Sequence, residues 1–379
     1  MTLEIPFNKA PVTGAEQEFI AQAISSASLA GLGRFSKRCE AWFENYLSCS
    51  RTLVTSSCTH ALEIAAMLIE VGPGDEVIMP SFTFVSTANA FLLRGASVIF
   101  VDIDPDNMCL DVDQVEQAIT PSTKAVVAVH YGGGSCDMQR LASFCGERDI
   151  FLIEDAAQAM TSQYFGKFLG TFGDIATFSF HETKNYTSGG EGGLLILNNE
   201  RFVAAAEIIR EKGTNRSLYF RGLVDKYSWV SLGSSYLMSE IQAAYLWGQL
   251  GYVDEIRDYR TNAWRRYESA LRPLEKGSQI RIFRHHEGVS HNGHLFAVKA
   301  RNIGERTRLI THLRDRGVLA VFHYVPLHSS SFGRANTVLR GKDNYTTTES
   351  ERLVRLPLWY GISDSEIDRV SESVIEFFT

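Results

Sequence analysis

The sequence predicts an α/β protein: a largely parallel mixed sheet with helices on both faces, followed by a smaller α+β lobe. Two observations carry this expectation. From about residue 50 to 200, seven short apolar runs, TLVTS, EVIMP, VIFVD, AVVAV, FLIED, ATFSF and GLLIL, alternate with longer segments of helical spacing. Beyond residue 200 that rhythm gives way to long helical stretches and then to a mixed α+β pattern. With 379 residues, the chain also exceeds the roughly 250 to 300 residues at which one core stops growing, so two lobes are expected. We divide it into residues 1–255, with the N-terminal segment, and 256–379.

Taken in order, the segment HALEIAAMLIE follows TLVTS directly and reads as a helix stopped at Gly72-Pro73-Gly74. Its first turn therefore lies at the end of a strand. Ligands of open α/β sheets sit beyond the carboxyl ends of the strands, so Ser57, Asp155 and Ser179, each near such an end, are expected to converge. FVAAAEIIREKG reads as a helix, and SEIQAAYLWGQLGYVDEIRDYRTNAWRRYESAL as a helix pair or one bent helix leading out of the main lobe. From about residue 280, HLFAVKA and VLAVFHYV read as strands, with TRLITHLRDRG as a helix between them.

Composition excludes several classes. Hydrophobic residues at 45% and charged residues at 21% match ordinary soluble usage. A formal charge of −7 repels nucleic acid, so any phosphate must be held locally. The start, MTLEIPFNKAPVTG, lacks the basic and apolar regions of a secretory signal, and no long apolar run follows, so a cytoplasmic protein without a membrane span is expected. The six cysteines form no C-x-x-C pair, which argues against a zinc site or a disulfide framework.

The chemistry-bearing residues lie at strand ends. Thr55 to His60 joins a strand to a helix and offers hydroxyls and free N–H groups where the helix dipole favours an anion, although in isolation N-capping explains such a stretch more simply. Asp155 ends FLIED and is followed by Ala156-Ala157-Gln158; alone it reads as a cap or turn residue. ATFSFHETKNYTSGGEGG places Ser179, His181 and Lys184 after another strand, then glycines that let the backbone pass close to a ligand. A lone lysine is usually a solvated charge. One cofactor, however, needs all of these parts: pyridoxal phosphate requires an imine-forming amine, a carboxylate at its ring nitrogen, an anion cradle and an aromatic face. Lys184, Asp155, Ser57 to Thr59 with Ser179, and Phe84 supply them in that order. The freed lysine amine would then act as general base and acid.

On these residues the sequence resembles the DegT/DnrJ/EryC1/StrS sugar aminotransferases, which have the fold type I architecture, from Ile5-Pro6-Phe7 almost to the C-terminus. The family's S-x-T-x-A-L block is Ser57 to Leu62, P-G-D-E-V-I is Pro73 to Ile78, and aromatic-V-S-T is Phe84 to Thr87. E-D-A-A-Q is Glu154 to Gln158, and F-S-F-H-x-x-K with G-E-G-G is Phe178 to Lys184 with Gly190 to Gly193. The resemblance implies that Lys184 is the imine lysine, Asp155 the pyridinium partner and Gln158 a neighbour of the phenolic oxygen. It implies too that Thr59, the Cys58 backbone and Ser179 hold the phosphate, and that the site is built from two subunits of a homodimer or dimer of dimers.

Further segments, FHETKNYT, FRGLVDKYSW with GSSYLMSEIQAAYLWGQL, and FHYVPLH with YTTTESERLVRLPL, resemble a branch of the family that serves enterobacterial common antigen synthesis. That resemblance implies L-glutamate as amino donor and dTDP-4-dehydro-6-deoxy-D-glucose as acceptor. Where most relatives carry G-x-N-x-R, this chain has Gly233-Ser234-Ser235, so Ser235 would take the asparagine's part toward the neighbouring subunit's cofactor. His181, His323, Tyr324 and His328 are candidates for the sugar pocket, Arg216, Arg221 and Lys226 for the diphosphate, and the loop Ser28 to Gly33 for a further wall. Each has a plainer reading as a packing or solvated residue. A nucleotide-dependent oxidoreductase or kinase is disfavoured by the absence of G-x-G-x-x-G and G-x-x-x-x-G-K-[ST]. Lys184 argues against the family's dehydratase branch, which has histidine there, and the missing DNA-binding module argues against a non-catalytic regulator.

Overall fold

The computed structural model describes residues 4–379; Met1 to Leu3, the start of the N-terminal stretch weighed above as a leader, lie outside it. All seven expected runs are strands of one eight-stranded sheet. Its order is Arg51–Thr55, Gly193–Leu197, Ile175–Ser179, Phe151–Asp155, Thr123–Val129, Glu76–Pro80, Ser97–Val101 and Val338–Leu339. Every pairing is parallel except those of Gly193–Leu197, which runs antiparallel to both neighbours.

The apolar runs are continuous because both faces of the sheet are covered. Alternate side chains enter different cores, as the two-residue period of a strand requires. Val54, Ile78, Ile99, Val126, Leu152, Ala176 and Leu194 pack on one face, and Leu53, Val77, Val98, Ala125, Ile153, Ile175 and Leu195 on the other.

The helix after the first strand spans Cys58–Leu68, capped by the Ser57 side chain. It stops short of Gly72 because Glu70 turns into the left-handed region at φ 53°. The long helical stretch is a pair, Glu240–Leu250 and Val253–Lys276, broken at Gly251-Tyr252. A third core of Tyr267, Leu271, Phe296, Leu309, Val354, Trp359 and Val370 lies under the C-terminal residues and takes in Ile5 from the N-terminal segment.

One strand expectation fails. HLFAVKA supplies Phe296–Lys299, but VLAVFHYV forms no strand, making only single bridges from Val318 to Ile5 and from Val321 to Arg355. Nothing runs alongside the rest of it, and Phe322 and Val325 are about half exposed. The small antiparallel sheet instead takes Leu353–Leu356, giving the order Arg281–Ile282, Phe296–Lys299, Leu353–Leu356. Among the described residues no helix is long and apolar enough to cross a membrane, no cluster could hold a metal, and all six cysteines are unpaired.

Candidate active site

A cavity of about 590 Å³ opens beyond the carboxyl ends of the parallel strands, the size of an ordinary small-molecule site. Ser57, Cys58, Thr59, Phe84, Asp155, Gln158, Ser179, His181, Lys184, His323 and Tyr324 all line it. Residues as far apart in sequence as Ser57 and Tyr324 would not meet by local structure; here the sheet edge gathers them.

At one end the helix Cys58–Leu68 presents its N-terminus. Ser57 Oγ accepts from His60 N at 3.1 Å, so the capping role is real, and its hydroxyl proton stays free to donate. The first two N–H groups of the helix are those that capping leaves over. A Cβ on Gly193 would lie 2.4 Å from Cys58 N, so only glycine lets the antiparallel strand pass this close to the helix start. Thr59 Oγ1 lies 2.7 Å from Ser86 Oγ, and burial pushes the Cys58 thiol up to about 12, keeping it neutral. This donor set suits a phosphate.

Asp155 is buried, and its carboxylate is fixed from two sides. Thr87 Oγ1 donates to Oδ2 at 2.6 Å, and Ala157 N donates to Oδ1 at 3.2 Å. Gln158 accepts from Gly132 N at 2.6 Å and donates from Nε2 to the Tyr324 hydroxyl at 3.2 Å. The His323 ring lies against Tyr324, centroids 3.5 Å apart and planes tilted by 33°, and its Nδ1 lies 3.0 Å from the Tyr131 hydroxyl. Burial, followed by the charges of Arg355 and Lys184, holds His323 well below the usual histidine range. Phe84 is half exposed at the mouth, 6.3 Å from the Tyr324 ring.

Lys184 projects from the loop joining Ser179 to Gly193. The next residues anchor it: Asn185 Nδ2 donates to Asn292 O, Tyr186 OH to Val253 O, and Thr187 N to Gln249 Oε1, at 2.8–2.9 Å. Burial lowers the amine's pKa, against the raising influence of Cys58 and Asp155. An amine that surrenders its proton easily is the nucleophile imine chemistry requires. Amine, fixed carboxylate and anion cradle in one cavity therefore fit pyridoxal phosphate.

Other expected residues lie elsewhere. His328 does not line the cavity: its ring is held between Ser81 Oγ, at 2.6 Å, and Asp343 Oδ2, at 3.1 Å. Arg221 pairs with Glu207, Arg216 with Glu211, and Ser235 is exposed on a bridge to Glu211. The loop Ser28 to Gly33 is also off the cavity, its end clamped where Glu240 accepts from Gly33 N and Phe35 N. Conversely, the cavity includes Phe7, Thr87, His130, Tyr131, His294 and Arg355, which sequence reasoning had not assigned to it. Of these, Phe7, Thr87 and Arg355 stand inside segments that carry the resemblance, Thr87 three residues beyond Phe84 in the same motif.

A family model described as the DegT/DnrJ/EryC1/StrS aminotransferase family matches residues 12–375. GDP-perosamine synthase of Escherichia coli is 29% identical, over 99% of each chain. The solved structure of TlmJ, an aminotransferase from Streptoalloteichus hindustanus, superimposes with a TM-score of 0.90 at 30% identity, over 99% of this chain and 98% of the other. DesV of S. venezuelae, solved in complex with a ketimine intermediate, gives a TM-score of 0.90 at 28% identity over 99% of both.

Proposed function

The chain belongs to the DegT/DnrJ/EryC1/StrS aminotransferase family and is a pyridoxal-phosphate-dependent sugar aminotransferase; from that premise we propose that it converts dTDP-4-dehydro-6-deoxy-D-glucose and L-glutamate into dTDP-4-amino-4,6-dideoxy-D-galactose and 2-oxoglutarate. The single observation that carries the chemistry is the buried amine of Lys184 in one cavity with the fixed carboxylate of Asp155.

When bound, pyridoxal phosphate supplies an aldehyde and an electron-withdrawing ring. In our reading, Ser57, Cys58, Thr59 and Ser179 hold its phosphate with hydroxyls and N–H groups. Thr87 and the Ala157 N–H orient the Asp155 carboxylate so that it can hold a proton on the ring nitrogen. The Lys184 amine, its proton affinity lowered by burial, takes a proton from the donor's α-carbon and returns one on the other side of the exchange. Tyr324, whose hydroxyl burial keeps protonated, positions Gln158 through their hydrogen bond. His181, His323 and Tyr324 form the sugar side of the cavity. Arg221 and Ser235 act from outside it, toward a second subunit of a homodimer, and His328 takes no part in the sugar side. We also read residues 1–255 and 256–379 as the two lobes, and the enzyme as cytoplasmic.

Support for the dTDP-linked sugar comes from the likeness of FHETKNYT, FHYVPLH and RLVRLPL to that branch. The similarity to GDP-perosamine synthase favours a second reading, a GDP-linked keto sugar. Incubation with glutamate and a panel of dTDP-, UDP- and GDP-linked keto sugars separates them. Turnover of the dTDP-4-keto sugar supports the first, and exclusive turnover of a GDP-linked member replaces it with the second.

A further inference from the structure

Arg355 is a guanidinium on the cavity wall with no acidic partner. It sits in the strand Leu353–Leu356, where its backbone exchanges hydrogen bonds with Val321 at 2.8 and 3.1 Å, so its position is fixed by sheet-like pairing rather than by its charge. Phe7, Val321, Phe322, Leu356 and Leu358 make the surrounding wall apolar. The guanidinium lies over the Phe7 ring, 4.4 Å from its centroid, and its Nε is buried without a hydrogen-bond partner.

Arg94 and Arg306 also bury an Nε without a partner, but neither lines the cavity, and three other sheltered arginines are answered. Arg210 reaches Glu40 and the Val54 carbonyl, Arg51 meets Glu40, Glu44 and Glu207, and Arg260 is surrounded by the carbonyls of Gly293, His294 and Leu358. A buried guanidinium left open into a cavity demands an anion from outside the chain.

Three anions can enter this cavity: the cofactor phosphate, the sugar-nucleotide diphosphate and the donor carboxylates. The phosphate has its own cradle on a different element, at Ser57 to Thr59 and Ser179. The donor's α-carboxylate is one carbon away from the nitrogen that displaces Lys184, so its cation must share the inner cavity with that lysine. Arg355 does: its charge bears on Lys184, His294 and His323 alike.

We propose that Arg355 is the subsite for the α-carboxylate of the amino donor, its fork of N–H groups taking both carboxylate oxygens and its apolar wall excluding water from the pair. The inference rests on the transaminase reading. The acceptor sugar carries no carboxylate, so the two half-reactions make unequal use of Arg355.

The test measures the halves separately on purified holoenzyme. Glutamate is added alone, and the decay of the lysine-bound cofactor's absorbance is followed; the aminated form is then mixed with the keto sugar. Truncating one partner of a buried charge-assisted pair weakens binding on the order of 100-fold. Arg355→Leu should raise the glutamate concentration for half-maximal rate by about that factor, and Arg355→Lys, which keeps charge but not the fork, by less. Calorimetric titration of the aminated form with 2-oxoglutarate should show the same order of weakening. The loss in the sugar half should be at least about tenfold smaller, since the pair there is not made. Unchanged glutamate dependence in Arg355→Lys and Arg355→Leu overturns the proposal, as does equal loss in both halves or loss confined to the sugar half, which would assign Arg355 to the diphosphate. Should Arg355→Leu not fold, Arg355→Lys with an intact cofactor spectrum decides alone. If no sugar of the panel is aminated, the acceptor reading fails while the glutamate arm still reads Arg355.

Discussion

Replacing Glu154 probes the platform under the site. Its side chain is fully buried and accepts four hydrogen bonds: from His130 Nε2 and Gly170 N at 2.8 Å on Oε2, and from Phe172 N and Gly173 N at 2.7 Å on Oε1. Glu154→Ala would orphan three buried backbone donors at about 1–3 kcal/mol each, hence about 3–9 kcal/mol before the lost histidine bond is added. Against a typical stability of about 5–15 kcal/mol, the alanine variant should barely accumulate as folded protein. Glu154→Gln is the sharper test. Its amide oxygen in the place of Oε1 keeps Phe172 and Gly173, and its NH2 can donate to a neutral His130 Nε2. Only the Gly170 N–H is then left without an acceptor, so the expected loss is about 1–3 kcal/mol, read by urea unfolding followed by tryptophan fluorescence at pH 7.

The pH dependence has a definite sign. Burial pushes the Glu154 carboxyl up, but the His130 hydrogen bond and charge, with the backbone N–H groups, outweigh it and hold the folded value below the ordinary 4.5. A depressed carboxylate stabilises the fold above its unfolded pKa, and that contribution disappears as pH falls through the folded value. The gap between wild type and Glu154→Gln should therefore be full above pH 4.5 and narrow below it. A glutamine variant within about 0.5 kcal/mol of wild type at pH 7, the scatter of an ordinary surface substitution, would refute the reasoning.

Two further outcomes are expected. Lys184→Ala should keep the fold but lose both turnover and the absorbance of the lysine-bound cofactor; a purified variant still transaminating at wild-type rate would remove Lys184 from its role. Gly193→Ala puts a methyl 2.4 Å from Cys58 N and 2.5 Å from Ser57 O, both backbone atoms that must move. Overpacking of this kind costs about 1–3 kcal/mol, and equilibrium titration with pyridoxal phosphate should show binding at least about tenfold weaker, with unchanged affinity counting against a cradle at Ser57 to Thr59.

What the sequence made legible follows from how local each signal is. The seven strands of the main sheet are apolar runs bounded by turn residues, and burial on both faces makes such runs conspicuous. Val338–Leu339 is two residues long and joins the sheet from far down the chain, with nothing in its own composition to mark it. VLAVFHYV has strand composition, yet a strand needs a neighbour along its length, and pairing partners leave no trace in a run's own residues. Asp155 and Lys184 stood out because their neighbours are chemically unusual, whereas Glu154 passed as an ordinary strand residue although it holds three loop N–H groups. His328 was read toward the sugar because a histidine at a strand end looks the same whether it faces a ligand or, as here, Ser81 and Asp343. Arg355 was missed for the opposite reason: an arginine in a short strand normally points to water, and only the assembled cavity shows that it has no partner.

Burial acts on the cavity's two cations in different ways, and that difference lets them work side by side. Desolvation lowers both Lys184 and Arg355 from their ordinary values. For an amine the downward shift makes the proton easier to lose, while a guanidinium, far more basic to begin with, keeps its charge. The retained charge lowers Lys184 further, so the group that would attract the donor's carboxylate also helps to deprotonate the amine that must meet the cofactor. A carboxylate arriving at Arg355 would cancel that influence and raise the lysine's proton affinity at the step where Lys184 has been displaced and must accept a proton from the donor carbon. Donor binding and proton transfer would then be coupled through one arginine, without any movement of the backbone.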